Sequence, residues 1–268
     1  MGEGGKPDGV AIVTGAAGGM GSQCARLLVE DGWKELLLCD LDEGRLENVA
    51  APLRECGATV DILAGEVTAP DFMDRMIAKL GGRGIGAVIH TAGVAPQMAE
   101  KDRILAINLD ATIALVDAVR PHVTQGSAVL LYASTASYFP VTAELESLFE
   151  QPIPPEGSSA LEQQVPDSMA AYLLSKRAVR HLAKREAKSF GECGSRLLTI
   201  SPGLVDTVMT QGDINENTQY MLDGAAIPRK GRPDELAAVS VFLVSPKASF
   251  MAGCDVVVDG GELAGMGI

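Results

Sequence analysis

The sequence "GVAIVTGAAGGMG" at residues 9–21 contains the strongest structural signal in the chain. Residues 9–15 form an apolar, β-branched run typical of a strand, and residues 19–31 have the pattern of a helix. Gly15, Gly19 and Gly21 lie where the strand passes into the helix. Glycines allow close backbone approach to a phosphate, and a helix N-terminus offers free N–H groups and a positive dipole end. The stretch therefore predicts a nucleotide-binding turn, with a tightly packed structural turn as the alternative.

The same alternation of strand and helix continues along the chain. Further strands are predicted over 34–40, 58–65, 86–90, 127–134, 195–203 and 254–261, and helices over 43–55, 70–80, 99–119 and 233–244. A helix that includes residues 169–186 follows the fifth strand. No shift in composition marks a domain boundary. We therefore expect one α/β domain over 1–268, a Rossmann-type, doubly wound parallel sheet of about seven strands.

Two long segments interrupt this alternation. Residues 136–168 contain five prolines, and residues 203–230 follow a strand without a clear period. Connections of this length in compact domains are usually lids, binding loops or disordered segments. Both segments contain apolar residues, which favours packing over disorder. The first is interpreted as an insertion and the second as a substrate loop.

Composition excludes several classes of function. The net charge of −13 argues against nucleic acid or an anionic membrane as the main partner. No apolar run is long enough to span a membrane, and residues 1–9 do not resemble a secretory signal. The five cysteines are scattered and the three histidines do not cluster, so we expect no metal site and a reducing, cytoplasmic location.

Asp40 is the predicted determinant of the choice of nucleotide. It ends the second strand 25 residues after Gly15, near the spacing at which an acid accepts hydrogen bonds from the adenosine ribose. A 2′-phosphate would meet its carboxylate, and the first basic residue beyond it is Arg45. The sequence therefore predicts NAD rather than NADP. Asp42 is the better candidate for a helix cap, which leaves Asp40 for the ligand.

An ordered set of motifs resembles the short-chain dehydrogenase/reductase family. The set comprises "TGAAGGMG", "TAG" at 91–93, Asn108 in "INLDAT", Ser134 after the fifth strand, Tyr172 and Lys176 in a YxxxK pattern, "SPGLVDT" and the terminal "DGG". The match covers nearly the whole chain. Each motif is weak alone, but their order is specific. The resemblance implies an NAD-dependent oxidoreductase that interconverts a secondary alcohol and a ketone.

Tyr172 and Lys176 are the implied acid/base pair. One helical turn separates them, a spacing that by itself is more often surface decoration. Free tyrosine has a pKa of about 10 and is scarcely ionised at neutral pH. An ammonium about 4 Å away, at an effective dielectric near 20, would stabilise the phenolate by roughly 4 kcal/mol, or about three pKa units before desolvation. Tyr172 could then act as general base in oxidation and general acid in reduction.

The resemblance also implies roles for other residues. Ser134 would hydrogen-bond the substrate oxygen, Lys176 would also hold the nicotinamide ribose, and Asn108 would anchor a water that relays protons. Backbone after the sixth strand and Thr207 would bind the nicotinamide carboxamide. The implied cofactor contacts are Gly15, Gly19, Met20, Gly21, Asp40, Leu41, Glu66, Val67, Ala92, Gly93, Tyr172, Lys176, Pro202, Gly203, Val205 and Thr207.

The chain also departs from the family pattern. His90 and Thr91 replace an Asn pair, and Glu66 replaces an Asp near the adenine. We expect a structural rather than a catalytic role for His90. The 38 positions between Ser134 and Tyr172 resemble the branch that contains bacterial 3α-hydroxysteroid dehydrogenase/carbonyl reductase. That branch implies an apolar lid over a bulky, cyclic or steroid-like substrate, and a homodimer through the C-terminal strand region, with a homotetramer next.

Two alternative functions remain open at this stage. A sugar-nucleotide epimerase or dehydratase would favour a TGxxGxxG spacing and a larger C-terminal region than this chain has. An NAD-binding redox sensor would typically lack the Tyr or the Lys, and both are present.

Overall fold

Seven parallel strands form one sheet in the computed structural model, which describes residues 6–150, 158, 162, 165–207, 210 and 216–268. The strands are β1 (Val10–Thr14), β2 (Glu35–Asp40), β3 (Thr59–Ala64), β4 (Ile85–His90), β5 (Val123–Tyr132), β6 (Arg196–Pro202) and β7 (Asp255–Val258). Their order across the sheet is β3-β2-β1-β4-β5-β6-β7. The direction of the order reverses between β1 and β4, and ligands of such sheets bind beyond the strand ends at this point. The predicted single-domain α/β class is confirmed.

Helices cover both faces of the sheet. Among the described residues, the α-helices span Gly19–Glu30, Glu43–Glu55, Phe72–Lys79, Lys101–Leu105, Ala111–Val119, Ala143–Glu150, Ser168–Glu192, Glu216–Gly224, Pro233–Val244 and Glu262–Gly265. One apolar cluster lies on the side of the Gly19–Glu30 and Pro233–Val244 helices, and a second on the side of the Phe72–Lys79 and Ser168–Glu192 helices. Strands β1 and β4 are buried along their whole length, which explains their continuous apolar sequences.

The helix predicted over 99–119 is not a continuous α-helix. It begins at Lys101, passes through a π-helical segment at Ala106–Asp110, and resumes as an α-helix to Val119. Segments of this kind are rare and often occur at functional sites. The segment contains Asn108, one of the predicted site residues.

The two long segments contain more regular structure than their sequences suggest. The 3₁₀ turn Thr135–Tyr138 overlaps the start of the first segment, which also contains the helix Ala143–Glu150, and residues 203–230 include the helix Glu216–Gly224. Parts of both predicted segments, 151–157, 159–161, 163–164, 208–209 and 211–215, lie outside the described residues. Among the described residues, no helix has the length and apolar character needed to cross a membrane.

Candidate active site

The glycine turn after β1 packs backbone against backbone. Gly15 has a φ of +68°, in the left-handed region that glycine tolerates. A Cβ on Gly21 would lie 2.1 Å from the Gly15 carbonyl oxygen, so a side chain cannot fit there. Gly18 precedes the Gly19–Glu30 helix and provides no side-chain cap. The turn therefore satisfies the structural alternative and also presents a helix N-terminus that an anion can bind.

A cleft of about 600 Å³ extends from this turn along the carboxyl ends of the strands. Most of the predicted cofactor residues line it: Gly15, Gly19, Met20, Gly21, Asp40, Leu41, Glu66, Val67, Ala92, Gly93 and Thr207. A Cβ on Gly19 would lie 3.1 Å from a methyl of Thr207, so the loop after β6 closes against the glycine turn. The cleft thus brings together residues from five separate parts of the sequence.

Asp40 is bonded to the glycine turn. One carboxylate oxygen accepts from the Ala17 N–H at 2.9 Å, and the other accepts from the Leu41 N–H at 2.7 Å. Arg45 also lines the cleft and donates to the Ala17 carbonyl at 2.9 Å. The sequence position of Arg45, five residues beyond Asp40, did not indicate this contact. Arg45 lies in the first turn of the helix Glu43–Glu55, and this turn places its side chain at the rim of the cleft. A cation therefore lies near the predicted ribose site.

Glu66 is engaged by a neighbouring cation. Arg103 lies 3.0 Å from the Glu66 carboxylate and also donates to the Thr68 hydroxyl at 3.0 Å. All three residues line the cleft near Val67. Both carboxylate and guanidinium are substantially exposed, so the pair contributes little to stability. The Glu66–Arg103 pair lines the part of the cleft where the adenine is predicted to bind.

A smaller pocket of about 80 Å³ adjoins the cleft and contains the predicted acid/base pair. It shares Met20, Thr91, Gly93, Val94 and Thr207 with the cleft. Its other walls include Ser134, Tyr172, Lys176, Pro202, Gly203 and Val205. The Ser134 hydroxyl lies close enough to the Tyr172 phenol to lower its pKa, although 38 positions separate the two residues in the sequence. The structure therefore places serine, phenol and ammonium around one space.

The electrostatics of Tyr172 differ from the expectation. Burial raises the pKa of Tyr172, and the hydrogen bond with Ser134 lowers it by a smaller amount. The Lys176 ammonium lies 6.0 Å from the centre of the Tyr172 ring. The expected drop of about three pKa units applied before desolvation, and in the polypeptide itself desolvation of the phenolate sets the direction of the shift.

Lys176 is a buried amine with a single described acceptor. Its Nζ donates to the Tyr132 carbonyl at 2.9 Å, and burial lowers its pKa from 10.5 to about 8. Only 7% of the residue is exposed. Much of the lysine is therefore charged at neutral pH. Burying this charge costs free energy, and a polar ligand bound to the ammonium would reduce that cost.

Asn108 lies behind the pocket and anchors the loop after β4. Its side-chain oxygen accepts from the Val94 N–H at 2.8 Å, and its amide donates to the Val94 carbonyl at 3.0 Å. A Cβ on Gly93 would lie 3.1 Å from the Asn108 oxygen and 3.3 Å from the Lys176 nitrogen. Gly93 thus allows both polar groups to approach the same backbone segment.

His90 is a buried, neutral structural residue. Its ring nitrogens contact the Thr14 hydroxyl at 2.6 Å and the Thr112 hydroxyl at 3.0 Å. Burial, followed by the nearby Lys176 charge, lowers its pKa to about 3. These contacts agree with the expected structural role.

Three contributions to the site were not found from the sequence. The Arg45 side chain reaches the rim, the Tyr132 carbonyl holds Lys176, and Glu262 contacts two loops of the pocket. A carbonyl carries no sequence signal, because every residue has one. Glu262 follows the "DGG" motif directly, and its place after a strand end was the only available indication.

Comparison with known proteins agrees with this geometry. Residues 9–144 match the family model described as short chain dehydrogenase, and residues 157–262 match the one described as Enoyl-(Acyl carrier protein) reductase. The chain is 30% identical to cis-4-hydroxycyclohexanecarboxylate dehydrogenase from Sinomonas cyclohexanicum over 95% of this chain and 96% of the relative. It is 27% identical to 3-alpha-hydroxysteroid dehydrogenase/carbonyl reductase from Comamonas testosteroni, over 94% and 95%.

A solved structure shows the same architecture. The crystal structure of a short-chain dehydrogenase/reductase, titled glucose/ribitol dehydrogenase, from Brucella melitensis superimposes with a TM-score of 0.76 at 26% identity. The superposition covers 94% of this chain and 96% of the other. The chain belongs to the short-chain dehydrogenase/reductase family. It is an oxidoreductase of that family for alcohol and ketone substrates, and family members use NAD or NADP.

Proposed function

We propose that the protein is an NAD-dependent dehydrogenase/reductase that interconverts an apolar, cyclic or steroid-like secondary alcohol and its ketone. The observation that carries the proposal is the convergence of Ser134, Tyr172 and Lys176 on one pocket that opens into the large cleft. A base, an orienting hydroxyl and a cation are the groups that alcohol oxidation needs beside a hydride acceptor.

The roles of these side chains follow from their contacts. Tyr172 takes the hydroxyl proton in oxidation and returns it in reduction. Ser134 lies beside the phenol in the same pocket and orients the substrate oxygen toward it. Lys176 holds its positive charge one turn away and favours the phenolate. Asn108 bonds both backbone groups of Val94 and so maintains the shape of the pocket wall. This role is in addition to the proposed anchoring of a water.

The lining of the cleft fits a dinucleotide. The uncapped helix start at Gly18 suits a pyrophosphate, and Asp40 suits ribose hydroxyls. Glu66 and Val67 would flank the adenine, while Pro202, Gly203, Val205 and Thr207 would hold the nicotinamide end. The bound cofactor supplies the hydride acceptor or donor. A panel of secondary alcohols incubated with NAD⁺, read as absorbance of the reduced cofactor, tests the proposal; turnover with none of them, together with no binding of NAD⁺, would contradict it.

Replacing Asp40 by Ala is expected to change the choice of cofactor. The variant loses a carboxylate that would accept ribose hydrogen bonds and repel a 2′-phosphate, while Arg45 remains at the rim to attract that phosphate. Because hydrogen bonds to a charged group contribute about 1.5–3 kcal/mol, the Kd for NAD⁺ should rise roughly tenfold or more. The Kd for NADP⁺ should fall, and calorimetric titration with both cofactors measures the ratio.

The matched control for Asp40→Ala is Asp42→Asn. Asp42 caps the next helix through the Arg45 N–H at 2.8 Å, and Asn is an equally good cap. This control removes one negative charge two residues away and should leave the cofactor ratio unchanged. A ratio that stays the same in Asp40→Ala would show that the specificity is set elsewhere.

The preference for an apolar substrate is supported by the insertion. Val141, Leu145 and Val165 pack in an apolar cluster that also includes Val94 and Tyr172. Arg177 on the helix Ser168–Glu192 stabilises the position of the insertion by donating to the carbonyls of Ser137 and Phe139 at 3.0 Å and 2.9 Å. The same guanidinium pairs with Glu146 in the helix Ala143–Glu150. Apolar side chains are therefore held next to the proposed base.

Replacing Glu146 by Ala is expected to impair substrate binding more than cofactor binding. The change removes the ion pair with the buried Arg177 and the Glu146 carboxylate 3.8 Å from His181. Because the Glu146 carboxylate is nearly half exposed, the pair contributes about 1 kcal/mol, so the KM for an alcohol should rise at most several-fold. Steady-state kinetics and NAD⁺ titration measure the two effects. Glu144→Ala, an exposed change in the same helix, is the control; an equal loss of NAD⁺ affinity in Glu146→Ala would make the insertion a purely structural element.

We also propose a cytoplasmic homodimer through the region of β7, with a tetramer as the second possibility. Phe242, Phe250 and Val257 are exposed apolar residues in this part of the chain, and β7 is an edge strand. Unpaired edges and exposed apolar side chains favour association. The five free cysteines support the location.

A further inference from the structure

Glu262 is a buried carboxylate outside the proposed acid/base machinery. It begins the short helix Glu262–Gly265 after β7, and only 2% of the residue is exposed. Burial raises the pKa of Glu262, while its bonds with Leu204 and Thr135 oppose the effect. In the part of the chain that the structure describes, no cation pairs with it. Keeping a carboxyl group in such a place requires compensation by hydrogen bonds.

The two oxygens of Glu262 connect two different loops. Oε1 accepts from the Thr135 hydroxyl at 3.2 Å, and Oε2 accepts from the Leu204 N–H at 3.1 Å. Thr135 directly follows Ser134, and Leu204 directly follows Gly203. Ser134 and Gly203 both line the pocket that contains Tyr172. The Glu262 side chain, which follows β7, therefore connects the loop after β5 to the loop after β6.

The packing around this bridge is close. A Cβ on Gly203 would lie 2.7 Å from Oε2 of Glu262 and 2.8 Å from Cβ of Asp259. Any side chain at position 203 would separate the loops, so glycine there is a condition of the contact. A shift of about 1 Å in catalytic geometry can reduce a rate on the order of a hundredfold.

We propose that Glu262 is a positioning residue that fixes the Ser134 loop relative to the Pro202–Gly203 wall of the pocket. The proposal rests on the proposed function for its effect on rate, but the bridge itself is a property of the polypeptide. Glu262 touches neither reacting group. It acts through Thr135 and Leu204. Its role is to fix the relative positions of the two loops, and this role does not require its negative charge.

Variants of Glu262 separate geometry from charge. Glu262→Gln keeps both bonds, because the amide oxygen can accept from Leu204 while the amide nitrogen donates to the Thr135 hydroxyl. Glu262→Ala loses both bonds. We expect kcat to fall roughly tenfold or more in Glu262→Ala, with a change below about threefold in the Kd for NAD⁺ and in the substrate KM. Glu262→Gln should retain kcat within about twofold.

Thr135→Val tests the bridge from its other end. It removes only the hydroxyl bond and should lower kcat less than Glu262→Ala does. Combined with Glu262→Ala it should cost nothing more, since the bond is already absent. The control is Asp259→Asn, which weakens the same C-terminal turn through its bonds to the Gly261 and Leu263 N–H groups at 2.8 Å and 2.9 Å.

Hydrogen–deuterium exchange of the protein alone gives a readout that needs no activity. In Glu262→Ala, exchange should accelerate in peptides covering 134–139 and 203–207, whereas Glu262→Gln should match the wild type. Asp259→Asn should affect peptides after residue 258 only. Unchanged exchange at both loops in Glu262→Ala would overturn the bridge. An inactive wild type would refute the proposed function, while the exchange data would still decide on the bridge.

Discussion

Replacing Tyr172 by Phe is expected to abolish turnover while the protein still binds its cofactor. Phe fills the same space but has no hydroxyl to exchange a proton with the substrate. General acid–base catalysis contributes about 10²–10⁴-fold, so kcat/KM should fall by roughly a thousandfold. The Kd for NAD⁺ should change little, because Tyr172 does not line the large cleft. Steady-state kinetics and calorimetric titration measure the two quantities.

Tyr138→Phe is the matched control for this result. Tyr138 donates its hydroxyl to Asp255 at 2.7 Å and does not line the cleft or the smaller pocket. Its loss should leave kcat/KM within about twofold of the wild type. Full turnover in Tyr172→Phe would eliminate Tyr172 as the acid/base.

Replacing Lys176 by Met should also remove turnover, for a different reason. The ammonium is the only cation that lines the smaller pocket among the described residues, and in the proposed function it stabilises the phenolate. Because burial raises the pKa of Tyr172, loss of the opposing charge should lower kcat/KM by about a thousandfold at neutral pH. The activity that remains should increase toward high pH, where hydroxide ionises the tyrosine. A pH profile of kcat/KM for both proteins measures this difference.

Lys176→Met should also change how stability depends on pH. The lysine pKa is lowered from 10.5 to about 8 in the folded protein, so the unfolded chain binds more protons between these values. Wild-type stability should therefore rise with pH from about 8 to 10.5 relative to the variant, by at most about 3 kcal/mol. Lys188→Met, an exposed change on the same helix, is the control. Parallel stability curves for wild type and Lys176→Met would contradict the lowered pKa.

The sheet could be predicted because its central strands β1 and β4 are fully buried and β2 is buried except at its two ends. Their continuous apolar runs stand out from the helical periods between them, and the boundaries agree within a few residues. Strand β5 is the exception: it begins at Val123 rather than 127, since residues 123–126 are partly or fully exposed and carry no apolar pattern. The π-helical segment around Asn108 likewise leaves no mark in the sequence.

The residues that meet in the candidate pocket could be named from the sequence, but the direction of their pKa shifts could not. The order of the family motifs along the sequence pointed to Ser134, Tyr172 and Lys176, and the structure places these residues around one pocket. The sign of the Tyr172 pKa shift depends on burial, which the sequence does not contain. The bridging position of Glu262 depends on three strand ends that meet only in the folded sheet.

Hydride transfer from a labelled alcohol is the most direct test of the central claim. Wild-type protein is incubated with NAD⁺ and cyclohexanol deuterated at its carbinol carbon, and the reduced cofactor is analysed by mass spectrometry. The proposed function predicts one deuterium in the reduced cofactor and cyclohexanone as the product, with neither formed by Tyr172→Phe. Reduced cofactor without deuterium, or equal transfer by Tyr172→Phe, would contradict it.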